Sequence, residues 1–377
     1  MQKYLPKHLT NKTIVLPSLS SKKRNKDWRG KPVSWPDIRK NAQDGHIYLL
    51  VDTRYPIGFT ATAIGGYSVK IDGVAYDNYN NQEQFSMADW SEYSATEGYA
   101  INYPTGATKA HIIDIFPQTE SENITAFKCA RVASSGQEVQ GILWEHFNLT
   151  NSVDISDLNA NGSFGSSDYS NPSLIACTAK NNELNFTGIQ RVFFRCEKLT
   201  YVPVLNCTYT SWLNASNMFA NCYLLENITI KNLIIGDGSY SFHNCRKLEK
   251  VSGNIDYSQA SLLRYHYSNN NSLKDITLDL SSSNSLKVVG CLGSSSYFMS
   301  GFKGLRVSSS APFDYATAPQ INVSYTGMDR AALVQLFNDL PSVSDGQIIN
   351  ITGSTGSEDL TSDDKAIATN KGWSITE

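Results

Sequence analysis

The chain has 377 residues, 18% of them charged, and a net charge of −3, which is long enough for two or three domains and a substantial core. No run approaches the ~20 apolar residues of a membrane span, and residues 1–25 hold no apolar stretch of the length a signal peptide needs, so neither membrane insertion nor export by the general secretory route is expected. The seven cysteines form no CxxC, and the six histidines are not spaced to join them as ligands, so a disulfide scaffold, a zinc site and a cofactor are all unexpected.

Tyr, with 20 copies, and Ser, Asn and Thr are abundant, so the surface is polar through hydroxyls and amides rather than charges. That palette suits a contact surface built from rigid aromatics and adaptable hydrogen bonders. It equally suits a β-rich chain with many turns, and composition leaves both readings open.

Residues 1–44 read as a basic arm. Residues 1–40 carry eleven Lys and Arg against Asp27 and Asp37, an excess of +9 that leaves −12 on the remainder. Such asymmetry points to nucleic acid or to an acidic surface. Trp28, Trp35, Pro6, Pro17, Pro32 and Pro36, with Ile14-Val15-Leu16 as the one apolar run, favour an extended docking segment lying on a neighbouring subunit. Nucleic acid is not an expected partner.

Residues 45–150 read as β-sandwich-like. Ile47–Val51, Gly58–Ala63, Tyr67–Ile71 and His111–Phe116 are short runs rich in β-branched and aromatic residues. Gly65-Gly66, Asp72-Gly73, Pro104 and Gly106 punctuate them as turns. The Asn/Ser/Gly/Asp-rich tract 148–173 reads as turns or a first degenerate repeat.

From about residue 174 the chain repeats itself. Phe193–Val202, Phe219–Ile228 and Phe242–Val251 align without gaps, Tyr267–Ile276 follows with substitutions, and Met299, Phe302, Leu305 and Val307 make a looser fifth copy. The pattern Φ-x-x-C/N-x-x-L-x-x-Φ recurs at 26, 23 and 25 residues, inside the range of leucine-rich repeats. Phe, Cys and Leu, three apart, lie on one side of a short helical turn. The Val or Ile three further on opens a strand that stacks on its counterpart in the next repeat. A Cys or Asn at the corner is small and can satisfy a backbone group in the interior. The cysteines therefore read as core.

Phe-x-Asn-Cys-x-x-Leu-x-x-Ile, as in Phe219–Ile228, resembles the hallmark of BspA-like leucine-rich repeats, which occur on surface proteins of bacteria and parasites and in bacteriophage tail proteins. Asp329–Leu340, Ile348–Gly353 and Leu360–Ile375 look like the closing unit of such arrays in gut-bacterial phages and prophages. The resemblance covers roughly 174–377 and extends more loosely to the N-terminal half. It departs from the pattern at Asn270, in place of Cys, and over the irregular 281–325 stretch. Residues alone support a closing unit. Leu333, Leu336, Phe337 and Leu340 form the stripe of a helix that starts near Asp329 and stops at Pro341. Thr361 and Asp364 suit the cap of a second helix that Gly372 stops, and Trp373 seals the last strand. The expected fold is mainly β with short helices: an arm over 1–44, a β-sandwich-like domain over 45–150, a leucine-rich-repeat solenoid over 151–325 and an α/β capping unit over 326–377.

The resemblance implies a bacteriophage virion protein of the tail, baseplate or fibre, forming a homo-oligomer. Its N-terminal arm would meet other virion structural proteins, and its repeats a host surface glycan or protein. The same resemblance leaves a bacterial cell-surface adhesin or protein-interaction module as the alternative. Glu145-His146, Asp114 near His111, and Asp363-Asp364 are suggestive groupings, but no nucleophile, base and orienter can be assembled from them, so no enzymatic activity is expected. Gly65-Gly66 and Gly236-Asp237-Gly238 read as turns rather than phosphate loops. Sequons are numerous, Asn123, Asn148, Asn185, Asn206, Asn227 and Asn350 among them, and arise by chance in an Asn/Thr-rich chain. Tyr209, Trp212, Tyr223, Tyr240, Tyr257 and Tyr265 fall mostly off the core positions. They are the candidate receptor-binding residues, expected to line up as an aromatic ladder suited to sugar rings.

Overall fold

The unbroken apolar run Ile47–Val51 needs cover on both sides, because alternate side chains of a strand point to opposite faces. The computed structural model, which describes residues 35–87, 90, 93, 98–103, 106–129, 141–156, 174–344 and 346–377, supplies it. The chain is mainly β, its strands gathered into several sheets. The first nine strands are β1 (His46–Asp52), β2 (Ile57–Thr62), β3 (Tyr67–Ile71), β4 (Val74–Tyr79), β5 (Gln84–Met87), β6 (Tyr99–Tyr103), β7 (Gly106–Pro117), β8 (Ala126–Cys129) and β9 (Ile142–Asn148). β1 lies antiparallel between β7 and β9; β3, β4 and β6 complete that side. β2 pairs with β5 and β8 in another sheet.

Ile47, Leu49 and Val51 share one core with Phe59, Phe85 and Phe127 of the second sheet. Tyr48 and Leu50 point the other way, into a smaller core with Trp35, Ile38, Trp144 and Tyr201. At the described end of the basic segment, Trp35 and Ile38 cover the far face of β1. Residues 1–34 lie outside the described residues.

Fourteen strands follow: β10 (Val153–Asp154), β11 (Ala176–Ala179), β12 (Glu183–Gly188), β13 (Val204–Cys207), β14 (Leu213–Asn214), β15 (Asn227–Asp237), β16 (Lys250–Asp256), β17 (Leu262–Leu263), β18 (Ile276–Leu280), β19 (Val288–Gly290), β20 (Phe302–Val307), β21 (Ile321–Asn322), β22 (Ile348–Asn350) and β23 (Ser374–Thr376). Every pairing among them is parallel. One ladder runs β12-β13-β15-β16 and a second runs β14-β15-β17-β19-β21-β22-β23. β15 serves both, with Leu205 opposite Ile230 and Leu213 opposite Ile235. The irregular 281–325 stretch supplies β19, β20 and β21. Strand pairing continues past residue 150: β10 pairs with both β8 and β12, and β11 pairs with β9.

The Phe–Cys–Leu segments form the third side of each unit, and they are not helical. Arg195, Asn221, Asn244 and Asn269 all hold left-handed backbone, with φ of 56°, 65°, 60° and 60°, which breaks the helix before it starts. Two successive four-residue turns replace it, as in Cys222 N–H to Phe219 O and Leu225 N–H to Cys222 O. The aromatic side chains stack from unit to unit: Phe219 on Phe242 at 5.9 Å and Phe242 on Tyr267 at 4.9 Å.

The cysteines have a specific duty at these corners. The Cys222 thiol donates to the Phe193 carbonyl at 3.0 Å, and the Cys245 thiol to the Phe219 carbonyl at 2.9 Å. Asn270 takes over at the next corner: its amide donates to the Phe242 carbonyl at 2.6 Å and accepts from Cys245 N–H at 2.7 Å. Cys177, Cys196, Cys207, Cys222, Cys245 and Cys291 are free and buried, and burial pushes Cys245 and Cys291 up to about 12. The side chain of Cys129 lies outside the described residues.

A second recurrent device sits where the second ladder ends. Asn214, Asp237, Asn322 and Asn350 each accept, through a side-chain oxygen, the N–H two residues on. Three of the Asn-x-Ser/Thr triplets are therefore Asx turns, a physical reason for spacings that the sequence alone assigned to chance. At the C-terminal end α1 (Arg330–Asp339) starts from its N-cap Asp329, and α2 (Ser362–Thr369) carries a full capping box of Thr361 and Asp364. Arg330 holds Asp364 at 2.8 and 3.1 Å, which keeps that carboxyl well below the usual range. Trp373 is buried against Phe313 and donates to the Pro341 carbonyl at 2.9 Å.

Replacing Asn270 by Ala strands a buried carbonyl and a buried N–H, an expected cost of about 2–5 kcal/mol. Asn270→Cys restores a donor to Phe242 O and should lose roughly half as much. Urea unfolding of both variants checks that order.

Candidate functional site

Outward positions of a stacked repeat carry no core duty, so recurring side chains there are where a ligand would be met. The six aromatics chosen from sequence do not form one ladder. Tyr240 and Tyr265, each two residues before the stacked aromatic, lie ring on ring at 5.0 Å and 21°. His243 sets its ring edge-on to both, at 5.6 and 6.0 Å. Both tyrosines hold left-handed backbone, φ 58° and 53°, as do Arg191 and Asn217 at the same place in the earlier units. Asn fills such a position at least cost, whereas a bulky residue carries strain on the order of 1 kcal/mol. Keeping tyrosine there in two consecutive units favours an outward role for the rings.

Tyr223 meets Arg246, the residue at its own position one unit on, at 4.7 Å. Tyr297 meets the same guanidinium at 4.8 Å, and Arg246 Nε donates to Asn244 Oδ1 at 3.1 Å. Arg264 is held in the same manner, by Tyr265 at 6.0 Å and Tyr315 at 5.2 Å, and donates to the Tyr315 hydroxyl at 3.0 Å. Among the described residues neither arginine forms an ion pair. Burial raises the Tyr223 and Tyr240 hydroxyls above their ordinary value, against the lowering influence of Arg246 and Arg264.

Tyr209 and Trp212 form another group. At 48% and 55% exposed they are the barest large apolar side chains described in 174–377. The Trp212 indole rests on the backbone at Gly236, where an added Cβ would come within 2.4 Å of the ring. Gly236 and Asp237 lie within β15, not in the turn expected from Gly-Asp-Gly. Glycine is there to admit the indole.

Tyr257 turns inward instead. His266 Nδ1 donates to the Gly238 carbonyl at 2.6 Å, which leaves Nε2 to accept from the Tyr257 hydroxyl at 3.1 Å. Tyr257 and Tyr267 line a groove of about 920 Å³ that lies between β16 and β18, two strands that do not pair with each other. Beside it, an amide ladder crosses the first ladder of parallel strands: Asn206 to Asn185 at 2.8 Å, Asn232 to Asn206 at 2.9 Å and Asn254 to Asn232 at 2.8 Å.

The acid and histidine groupings resolve differently from their sequence neighbours. His111 and Asp114 are three apart on one strand, hence on opposite faces. His111 pairs with Asp72 at 2.6 Å, and Asp114 with His46 at 2.7 Å. His146 shares a hydrogen bond with the Thr178 hydroxyl at 2.9 Å, which also receives Trp144 Nε1 at 2.8 Å. Asp363-Asp364 is the first turn of α2. No three His, Cys, Asp or Glu side chains converge on a metal position among the described residues.

Sequence reasoning missed Arg246, Arg264, Tyr297 and Tyr315. The pairing of Tyr223 with Arg246 was legible, since equal positions in adjacent repeats are neighbours. Tyr297 and Tyr315 arrive from segments outside the clean repeats and carried no signal. Comparison with known protein families, curated proteins and solved structures finds no match.

Burial holds His266 and His146 down to about 4, below the ordinary 6.5. The unfolded chain therefore binds more protons between those values, so stability is complete above pH 6.5 and falls toward pH 4, at up to ~1.4 kcal/mol per pH unit for each histidine. Denaturant midpoints measured across this window should slope upward with pH. His266→Asn should lower that slope by up to ~1.4 kcal/mol per pH unit; an unchanged slope would rule out the buried His266 imidazole as a source.

Proposed function

We propose that the region from about residue 174 onward is a BspA-like leucine-rich-repeat solenoid that binds a carbohydrate on a host surface. We further propose that the protein works on a bacteriophage virion, attached by its N-terminal region to other virion proteins and present in several copies. The regular parallel pairing, the stacked aromatic column and the repeated corner bond support the repeat assignment, and the end built from α1, α2 and Trp373 supports a capping unit. The virion setting rests on the resemblance of the repeats and of the closing segment.

One observation carries the carbohydrate reading. Trp212 is more than half exposed although its ring is seated on Gly236, with exposed Tyr209 three residues away. An apolar ring fixed at a polar surface is the arrangement that sugar C–H faces pack against, while neighbouring hydroxyls and amides meet the sugar hydroxyls. Weak binding at one site would be strengthened by many copies.

A second reading, a surface adhesin that takes a protein partner, has its own observation. The groove between β16 and β18, which do not pair with each other, suits an extended peptide that adds to a strand edge.

A glycan array probed with the full chain separates the two readings. The wild-type protein should retain glycans, and Trp212→Ala should weaken retention by about tenfold without moving the thermal midpoint. Retention of no glycan, or retention indifferent to Trp212, would sink the carbohydrate reading.

A further inference from the structure

We propose that Arg246 and Arg264 form two anion clamps for the acidic groups of a charged polysaccharide, an inference that rests on the carbohydrate reading and narrows it to an anionic polymer. Each guanidinium is contacted by two tyrosine rings, Tyr223 and Tyr297 in one case, Tyr265 and Tyr315 in the other. In both cases the second tyrosine lies 51 residues beyond its arginine, while the first lies one unit back from Arg246 and next in sequence to Arg264. One nitrogen of each guanidinium is already fixed by a neighbour, Asn244 Oδ1 or the Tyr315 hydroxyl.

The remaining N–H groups of each planar fork need acceptors, and among the described residues no carboxylate supplies them at either position. Elsewhere the chain does pair its arginines, as Arg54 with Asp52, Arg306 with Asp339 and Arg330 with Asp364. A guanidinium already ordered by ring contacts loses little entropy on meeting an anion, and its fork matches carboxylate, sulfate or phosphate oxygens two at a time. Two such clamps, belonging to adjacent repeats, fit a polymer whose charge recurs.

Polygalacturonate, dextran sulfate and wall teichoic acid, with neutral dextran as reference, serve as the probes for titration calorimetry on the full chain. At least one polyanion should bind and dextran should not at this site. The Lys/Arg-rich 1–40 segment also attracts polyanions, so the deciding readout is the double variant Arg246→Lys, Arg264→Lys, which leaves net charge unchanged. Lysine lacks the fork, and affinity should fall by about tenfold or more. Equal affinity in the lysine variant would overturn the clamps, and so would a wild-type chain that binds none of the three polyanions. Neutral glycans held through Trp212 without any polyanion would defeat this inference alone; no glycan of either kind would defeat both readings.

Discussion

The hydrogen bond from a small corner side chain to the aromatic residue's carbonyl one unit back is the contact on which the second half of the chain depends. Stacking the units dry leaves that carbonyl without water, and an unpaired buried carbonyl costs as much as one or two good contacts give. The thiols of Cys222 and Cys245 and the amide of Asn270 solve the problem in three successive units. Only a short side chain with a donor at its tip fits beneath the stacked rings. That requirement explains why the position tolerates Cys and Asn and why the thiols are silent chemically: they are buried and pushed toward protonation.

A parallel stack of this kind has two open ends, and each would present unpaired strand groups to the next molecule. The front end is closed by continuity. β10 and β11 carry the pairing directly into the N-terminal sheets, so the antiparallel region and the repeats share one core. At the back end the two helices pack together and Trp373 is buried, with Asp364 capping its helix and pairing with Arg330 at once. Between the ends, the first ladder stops at β16, and a groove lies between that strand and β18 of the separate β18-β20 pair.

With the interior committed to Phe, Cys and Leu, chemistry is confined to outward positions. There the chain places aromatic rings against one another, against arginine and against glycine. Left-handed backbone at Tyr240 and Tyr265 is tolerated because rungs from unit to unit, such as Tyr240 N–H to Arg264 O at 2.7 Å, hold it in place. Rigid aromatics held this way lose little freedom on binding, which is why such residues dominate contact surfaces.

Periodicity was the most readable property of this sequence. The Φ-x-x-C/N-x-x-L spacing marked the stacked side, the apolar stripe with Asp329 and Pro341 bounded α1, and Thr361 with Asp364 placed α2, because each of those features is local and set by backbone geometry. The Ile47–Val51 run indicated a strand but not that Trp35 and Ile38 cover its far face. The Asn-x-Ser/Thr triplets looked like chance until the Asx turns gave them a role. Nothing local could show that His111 takes Asp72 and leaves Asp114 to His46, that Gly236 seats Trp212, or that Tyr297 and Tyr315 close over Arg246 and Arg264. Those partners lie tens of residues apart and meet only after the units have stacked, so the repeat was written in the sequence while the surface it displays was decided by tertiary structure.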